Sequence, residues 1–441
     1  MSITRREFLV ASSAWSALAG ATVTGAVADA AATESAARFD DWTWVRGQFD
    51  VAPDYLHLSQ FFIVSHPRPV REAIERHRRA IDANPFLAVE HGLSGEDEGN
   101  LPLRARRAIA DYIGGKPEEI ALVDCTTTGL ALTYHGLVLK PGDEVLTTTH
   151  DHYVHHESIR LATQKLGATW RRVPLYARAS AVTVEEVTAN LRAAISPRTR
   201  VVGLTWVHSS TGVKLPIREL AGVVADANRR RDADQRMVLV VDGVHGFGNQ
   251  DASPVDLGCD FFTAGTHKWM FAPRGTGIVW ARPESWSRIR PTIPSFSSRG
   301  SFDAWMNERD PGPTQASAVT PGGFKAYEHQ WAMAEAFAFH QAIGRKRIAD
   351  RIAALNTQCK DGLAAMKHVT LHTPRSAELS AGINCFEVAG MDPDTVVRRL
   401  LEKKVVASSS PYKVSYVRLA PSLVNDEQQV EQALRAVRAL A

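Results

Sequence analysis

Met237-Val238-Leu239-Val240-Val241-Asp242-Gly243-Val244-His245 is followed, after a short linker, by Phe261-Phe262-Thr263-Ala264-Gly265-Thr266-His267-Lys268. Each block is a short apolar run that ends in residues capable of chemistry. Runs this brief and nearly unbroken read as strands covered by helices on both sides. The same pattern continues outward in Ile120–Val123, Glu144–Thr149, Val201–Val207 and Gly277–Trp280. Helical stretches such as Leu101–Ile113 and Leu130–Leu137 lie between them. Strand–helix alternation predicts an α/β fold with a mostly parallel central sheet sandwiched by helices.

The chain has 441 residues, 44% hydrophobic and 22% charged, and suits two or three domains, or one large domain with a smaller one. That composition excludes disordered, collagen-like and disulfide-scaffold classes. A net charge of +3 with no basic stripe argues against nucleic acid as a partner. Four scattered cysteines (Cys125, Cys259, Cys359, Cys385) contain no CxxC pair, so a zinc ribbon and a thioredoxin-like site are excluded.

Residues 1–32 begin with Arg5-Arg6, continue through Phe8-Leu9-Val10 into an Ala/Ser/Gly/Val stretch, and end in small residues around Ala26-Val27-Ala28. This order of charge, apolar core and cleavage site predicts a twin-arginine signal peptide, hence export through the twin-arginine machinery to the periplasm or beyond. No other apolar run is long enough to span a bilayer, so the mature form is expected to have no membrane segment. From Arg290 to Gly323, Pro, Gly and Ser accumulate without periodicity, predicting a lid, binding loop or interface. A long helix is expected over Lys325–Ala365, broken near Gly344. Strand Ile383–Val388, helix Pro393–Lys403, strands Lys404–Ala407 and Lys413–Leu419 and a terminal helix from Asp426 follow. The division expected is 1–32 leader, 33–60 N-terminal segment on the smaller domain, 61–322 large domain and 323–441 small C-terminal α/β domain.

An open α/β sheet binds its ligand at the carboxyl ends of its strands. There the sequence places Thr126-Thr127-Thr128-Gly129, His150-Asp151-His152, His208-Ser209-Ser210, Asp242-Gly243-Val244-His245 and Gly265-Thr266-His267-Lys268. Lys268 is followed by Trp269-Met270-Phe271, surroundings in which an amine loses its proton readily. Asp242 enters an apolar setting and calls for a cationic partner such as a pyridinium. The threonines at a helix start suit a phosphate. Each feature also has a plainer account: a solvated lysine, an Asp-Gly turn, threonine capping. The histidines of 150–157 could form a metal cluster, although no HExxH or cysteine partner accompanies them.

The order Thr-Thr…His…Ser…Asp-x-x-His…Thr-His-Lys resembles the fold-type I enzymes dependent on pyridoxal 5′-phosphate, and within them the class V aminotransferases. The resemblance runs from Tyr55-Leu56 to Arg418. It implies that Lys268 carries the cofactor covalently, that Asp242 pairs with the pyridine nitrogen, and that His152 stacks on the ring. It further implies that Thr126, Thr127, Thr266 and His267 hold the phosphate, that Ser209 and His245 contact the phenolic oxygen, and that Arg418 grips a substrate carboxylate. No metal site is implied. Cysteine desulfurases of the group carry a nucleophilic cysteine upstream of that arginine. Here Val406–Tyr412 has none, and a partner-subunit threonine on the phosphate has only a loose match in Thr320. The chain is similar to the isopenicillin N epimerase-like branch, and the export signal resembles that of periplasmic enzymes tailoring pyoverdine-type siderophores.

These implications give a homodimer with active sites near the subunit interface. The enzyme would act at the α-amino carbon of an amino acid or peptide-like amine, as a transaminase or epimerase. A lyase on the same scaffold, or an exported metal- or ligand-binding protein using the 150–157 histidines, are the alternatives.

Overall fold

A seven-stranded sheet organises the chain because its strands carry apolar side chains on both faces. The computed structural model describes residues 38–95 and 99–441, so the leader predicted over 1–32 lies outside the described residues. The sheet is built from β2 (Ile120–Val123), β3 (Glu144–Thr148), β4 (Thr169–Val173), β5 (Thr199–Thr205), β6 (Val238–Asp242), β7 (Phe261–Gly265) and β8 (Gly277–Ala281) in the order β2-β8-β7-β6-β5-β3-β4. Only β8 is antiparallel to its neighbours, so the other strands share a direction and end at one edge. Alternate residues serve opposite faces. Leu239, Val241 and Phe262 join one core, while Val238, Val240 and Phe261 join the other.

A second, four-stranded antiparallel sheet has the order β12 (Ser408–Ser409), β13 (Val417–Leu419), β10 (Asn384–Val388) and β9 (Val369–Leu371). The short strand β1 (Leu56–His57) pairs in parallel with β11 (Val405–Val406). Leu58, Leu355, Phe386, Leu400, Val417 and Leu434 meet in the core of this region.

Local differences from the sequence reading have physical causes. The edge strand Thr169–Val173 went unread because it is half-exposed and carries Arg171 and Arg172. The helix placed over Leu130–Leu137 starts earlier and spans Thr126–Gly136 (α1), so the threonines form its first turn. Lys325–Ala365 is three helices, Tyr327–Trp331, Met333–Ile343 and Arg345–Ala364; Gly344 breaks the last two with a φ of 95°. The 290–323 stretch holds helices Arg299–Met306 and Ala316–Val319. Strand Lys413–Leu419 shrinks to Val417–Leu419, because Ser410 receives the Tyr416 N–H and folds 410–416 into a loop.

Candidate active site

The shared strand direction brings five chain segments to one cavity of about 350 Å³. β2 leads into α1, β3 leads to His152 at the N-cap of Tyr153–Leu166 (α2), and β5 leads to Ser209. Asp242 is the last residue of β6, and Lys268 follows β7. Arg418 reaches the same space from β13. Lys268, Asp242, His245, His267, His152, Ser209, Thr126, Thr127 and Arg418 all line the cavity. Larger depressions near Lys214 and near Arg229–Arg231 contain none of these groups.

Thr266 is the exception. Its hydroxyl lies 2.7 Å from that of Thr276, its N–H donates to the Thr276 carbonyl, and the side chain is fully buried away from the cavity. Thr320 is likewise engaged within its own chain, accepting the Leu122 N–H at 3.0 Å and tying helix Ala316–Val319 to β2. The metal-cluster alternative also fails on geometry. His150 stacks on Tyr176, His155 bonds Tyr134 and Thr205, His156 meets the Thr148 carbonyl, and only His152 faces the cavity. No group of three His, Cys, Asp or Glu side chains suited to a metal occurs among the described residues.

Burial sets the electrostatics. It pushes Lys268 down to about 8, against the opposing pull of Asp242. It raises Asp242 to about 6, while the Val244 N–H bonded to Oδ1 works the other way. His152 is lowered to about 4 by burial and by the Lys268 and Arg418 charges. Burial also lowers His245 and His267. These three imidazoles are therefore neutral at pH 7, and the cavity's positive charge resides on Lys268 and Arg418. Lys268 Nζ lies 3.3 Å from His245 Nε2, whose other nitrogen receives the Trp269 indole N–H.

Arg418 is clamped by its own fold. Nε donates to Ser408 Oγ, one terminal nitrogen to the Ser209 carbonyl and the other to the Ser409 carbonyl, and the guanidinium lies 4.8 Å over the Phe61 ring. One hydrogen on each terminal nitrogen is left over for a further acceptor such as a carboxylate.

The wall fits pyridoxal phosphate. α1 opens with Thr126 and Thr127 at the cavity, and its first-turn N–H groups and positive dipole end suit a phosphate. Thr126 Oγ1 accepts the Gly265 N–H at 2.8 Å, which joins the helix start to the β7 end. A Cβ at Gly265 would come within 2.8 Å of His267 Cε1 and 3.1 Å of that hydroxyl, closing the cradle. Buried Asp242 calls for a positive partner, which a protonated pyridine nitrogen supplies.

Several lining residues were given no role in the sequence reading: Phe61, Phe62 and Ile63 at the start of the expected large domain, and Cys125, His208, Val244 and Tyr412. Tyr412 lies in the stretch noted for lacking a cysteine; its hydroxyl is 2.7 Å from Ser209 Oγ.

The Aminotransferase class-V family model matches residues 67–436. An isopenicillin N epimerase from Streptomyces clavuligerus is 27% identical over 414 residues, covering 91% of this chain and 98% of its own. A probable cysteine desulfurase from Pyrococcus abyssi is 24% identical and covers 83% of this chain and 86% of its own. Among solved structures, C-DES with glycine covalently linked to its pyridoxal-phosphate cofactor superposes with a TM-score of 0.78 at 22% identity, covering 89% of this chain and 98% of that one. Matched along most of its length and built on the same fold, the chain belongs to the class-V aminotransferase family of pyridoxal-phosphate-dependent enzymes.

Proposed function

We propose that this enzyme acts at the α-amino carbon of an amino acid or peptide-like amine, as an epimerase or transaminase, in an exported compartment. The observation that carries the reading is a single cavity holding a lysine lowered to about 8, a buried carboxylate and a clamped arginine. Arg418 binds the substrate carboxylate and fixes which bond at Cα faces Lys268. Lys268, once its amine is free and neutral, takes the α-proton. When bound, pyridoxal phosphate supplies the sink for the electron pair left behind, and Asp242 favours that role by keeping the pyridine nitrogen protonated. Phe61, Phe62 and Ile63 supply apolar wall to the cavity.

The epimerase relative supports chemistry confined to Cα. The 406–412 loop presents Tyr412 and no thiol, which disfavours a persulfide-forming desulfurase. Export rests on the Arg5-Arg6 leader, and its test is N-terminal sequencing of protein recovered from the periplasm: a chain starting near residue 30 supports it. A homodimer rests on apolar residues exposed beside the 290–323 loop, among them Phe296, Phe302, Trp305 and Phe324.

The functional test is incubation of the loaded enzyme with candidate amino acids in D2O, followed by product mass. Gain of one deuterium at Cα with the amine retained means epimerisation, and an oxo product means transamination. No change at Cα with any amino acid, alongside loss of a β-substituent without solvent exchange, would contradict the proposal.

A further inference from the structure

The cavity wall can be followed from contact to contact. Lys268 Nζ lies 3.3 Å from His245 Nε2, and the His245 ring centroid is 5.7 Å from that of Phe61. Phe61 supports Arg418, which donates to the Ser209 carbonyl. The Ser209 hydroxyl is 2.7 Å from the Tyr412 hydroxyl, and the Tyr412 ring stands edge-on to His152 at 5.8 Å. Lys268 and Tyr412 therefore line the same cavity as Arg418 without touching each other in this series of contacts, and His152, beside Tyr412, also feels the Lys268 charge. A nitrogen base and a phenol are thus both available around an amino acid held by Arg418.

We propose that Tyr412 is a second acid–base residue for the substrate, exchanging a proton with Cα on the face turned away from Lys268. This rests on the Cα reading above. Of the cavity's other groups, His152 has Nδ1 occupied by the Val154 N–H, His245 lies against the lysine, and Asp242 is buried at the end of β6 with Oδ1 on the Val244 N–H. Burial raises the Tyr412 phenol, so its resting form carries a proton to give; the Ser209 hydrogen bond and the Arg418 charge pull the other way and stabilise the phenolate when it forms. The step balances without an oxidant. Lys268 takes the proton from Cα, and bound pyridoxal phosphate would supply the sink for the C–H electron pair. Tyr412 then gives its proton to Cα from the opposite side, and the pair returns to form the new C–H bond. The Lys268 ammonium releases its proton to solvent at the mouth, and the phenolate recovers one by way of Ser209. In the reverse direction the two residues exchange roles.

Glycine in D2O is a suitable probe, because its two α-hydrogens report the two faces separately. The loaded wild-type enzyme labels both positions. Tyr412→Phe retains cofactor affinity, measured by titrating the cofactor-free protein with pyridoxal phosphate, and labels one position at the wild-type rate. The other position slows by about 100-fold or more. A merely structural tyrosine would slow both positions together, and that result, or equal labelling of both by the variant, overturns the assignment. Wild-type enzyme that labels only one position also overturns it while leaving the Cα reading in place. Wild-type enzyme that carries its cofactor yet labels neither removes both.

Discussion

Lys268 is the residue on which the proposed chemistry turns, and its surroundings explain why a lysine can serve there. An amine at its ordinary value is almost entirely charged at neutral pH and is a poor nucleophile. Buried beside His245 and lowered to about 8, it is about one-tenth neutral at pH 7 and about nine-tenths neutral at pH 9. Capture of pyridoxal phosphate by the cofactor-free protein should therefore accelerate about tenfold between these pH values and then level off. The sign follows from the neutral amine being the attacking form. Asp242, at about 6, has already lost its proton below this window and adds no second step. Stopped-flow absorbance against pH checks this; a rate still climbing beyond pH 10 would mean an unshifted lysine.

At the level of elements, the site depends on how closely α1 lies on the sheet. Gly129 permits this, since a Cβ there would sit 2.4 Å from Thr263 Cγ2 and 3.0 Å from Val279 Cγ2. Gly129→Ala should cost ~1–3 kcal/mol through overpacking and displace the helix start from the phosphate position. Calorimetry should show a lower Tm, and titration a weaker cofactor affinity. An unchanged affinity would mean that α1 is not the phosphate cradle. This spacing also shows what was readable in the sequence. Apolar runs revealed β5, β6 and β7, because double-sided burial leaves a composition signal, and residues adjoining strand ends pointed to Lys268, Asp242 and His152, which line the cavity. Tertiary approach leaves no such signal. Phe61 and Tyr412 come from segments distant in sequence and meet the cavity only once β1 has paired with β11. Thr266 reads like its neighbour His267, yet its hydroxyl is claimed by Thr276 across a turn.

For the whole molecule, the 290–324 region places unusually large apolar side chains at the surface. Trp305 is 71% exposed and Phe324 82% exposed, each beside another exposed phenylalanine. A patch of this kind marks a protein interface, and the proposed homodimer would cover it. Trp305→Glu combined with Phe324→Glu should convert a dimer to a monomer in sedimentation velocity while leaving the circular dichroism spectrum intact. A dimer that persists would place the interface elsewhere.

The proposed chemistry requires that one lysine at the end of β7 carry the cofactor. Reduction of the yellow enzyme with borohydride, digestion and peptide mass mapping test it most directly. A phosphopyridoxyl group is expected on the peptide containing Lys268 and on no other. The same adduct on a different lysine, with Lys268 unmodified, would contradict it.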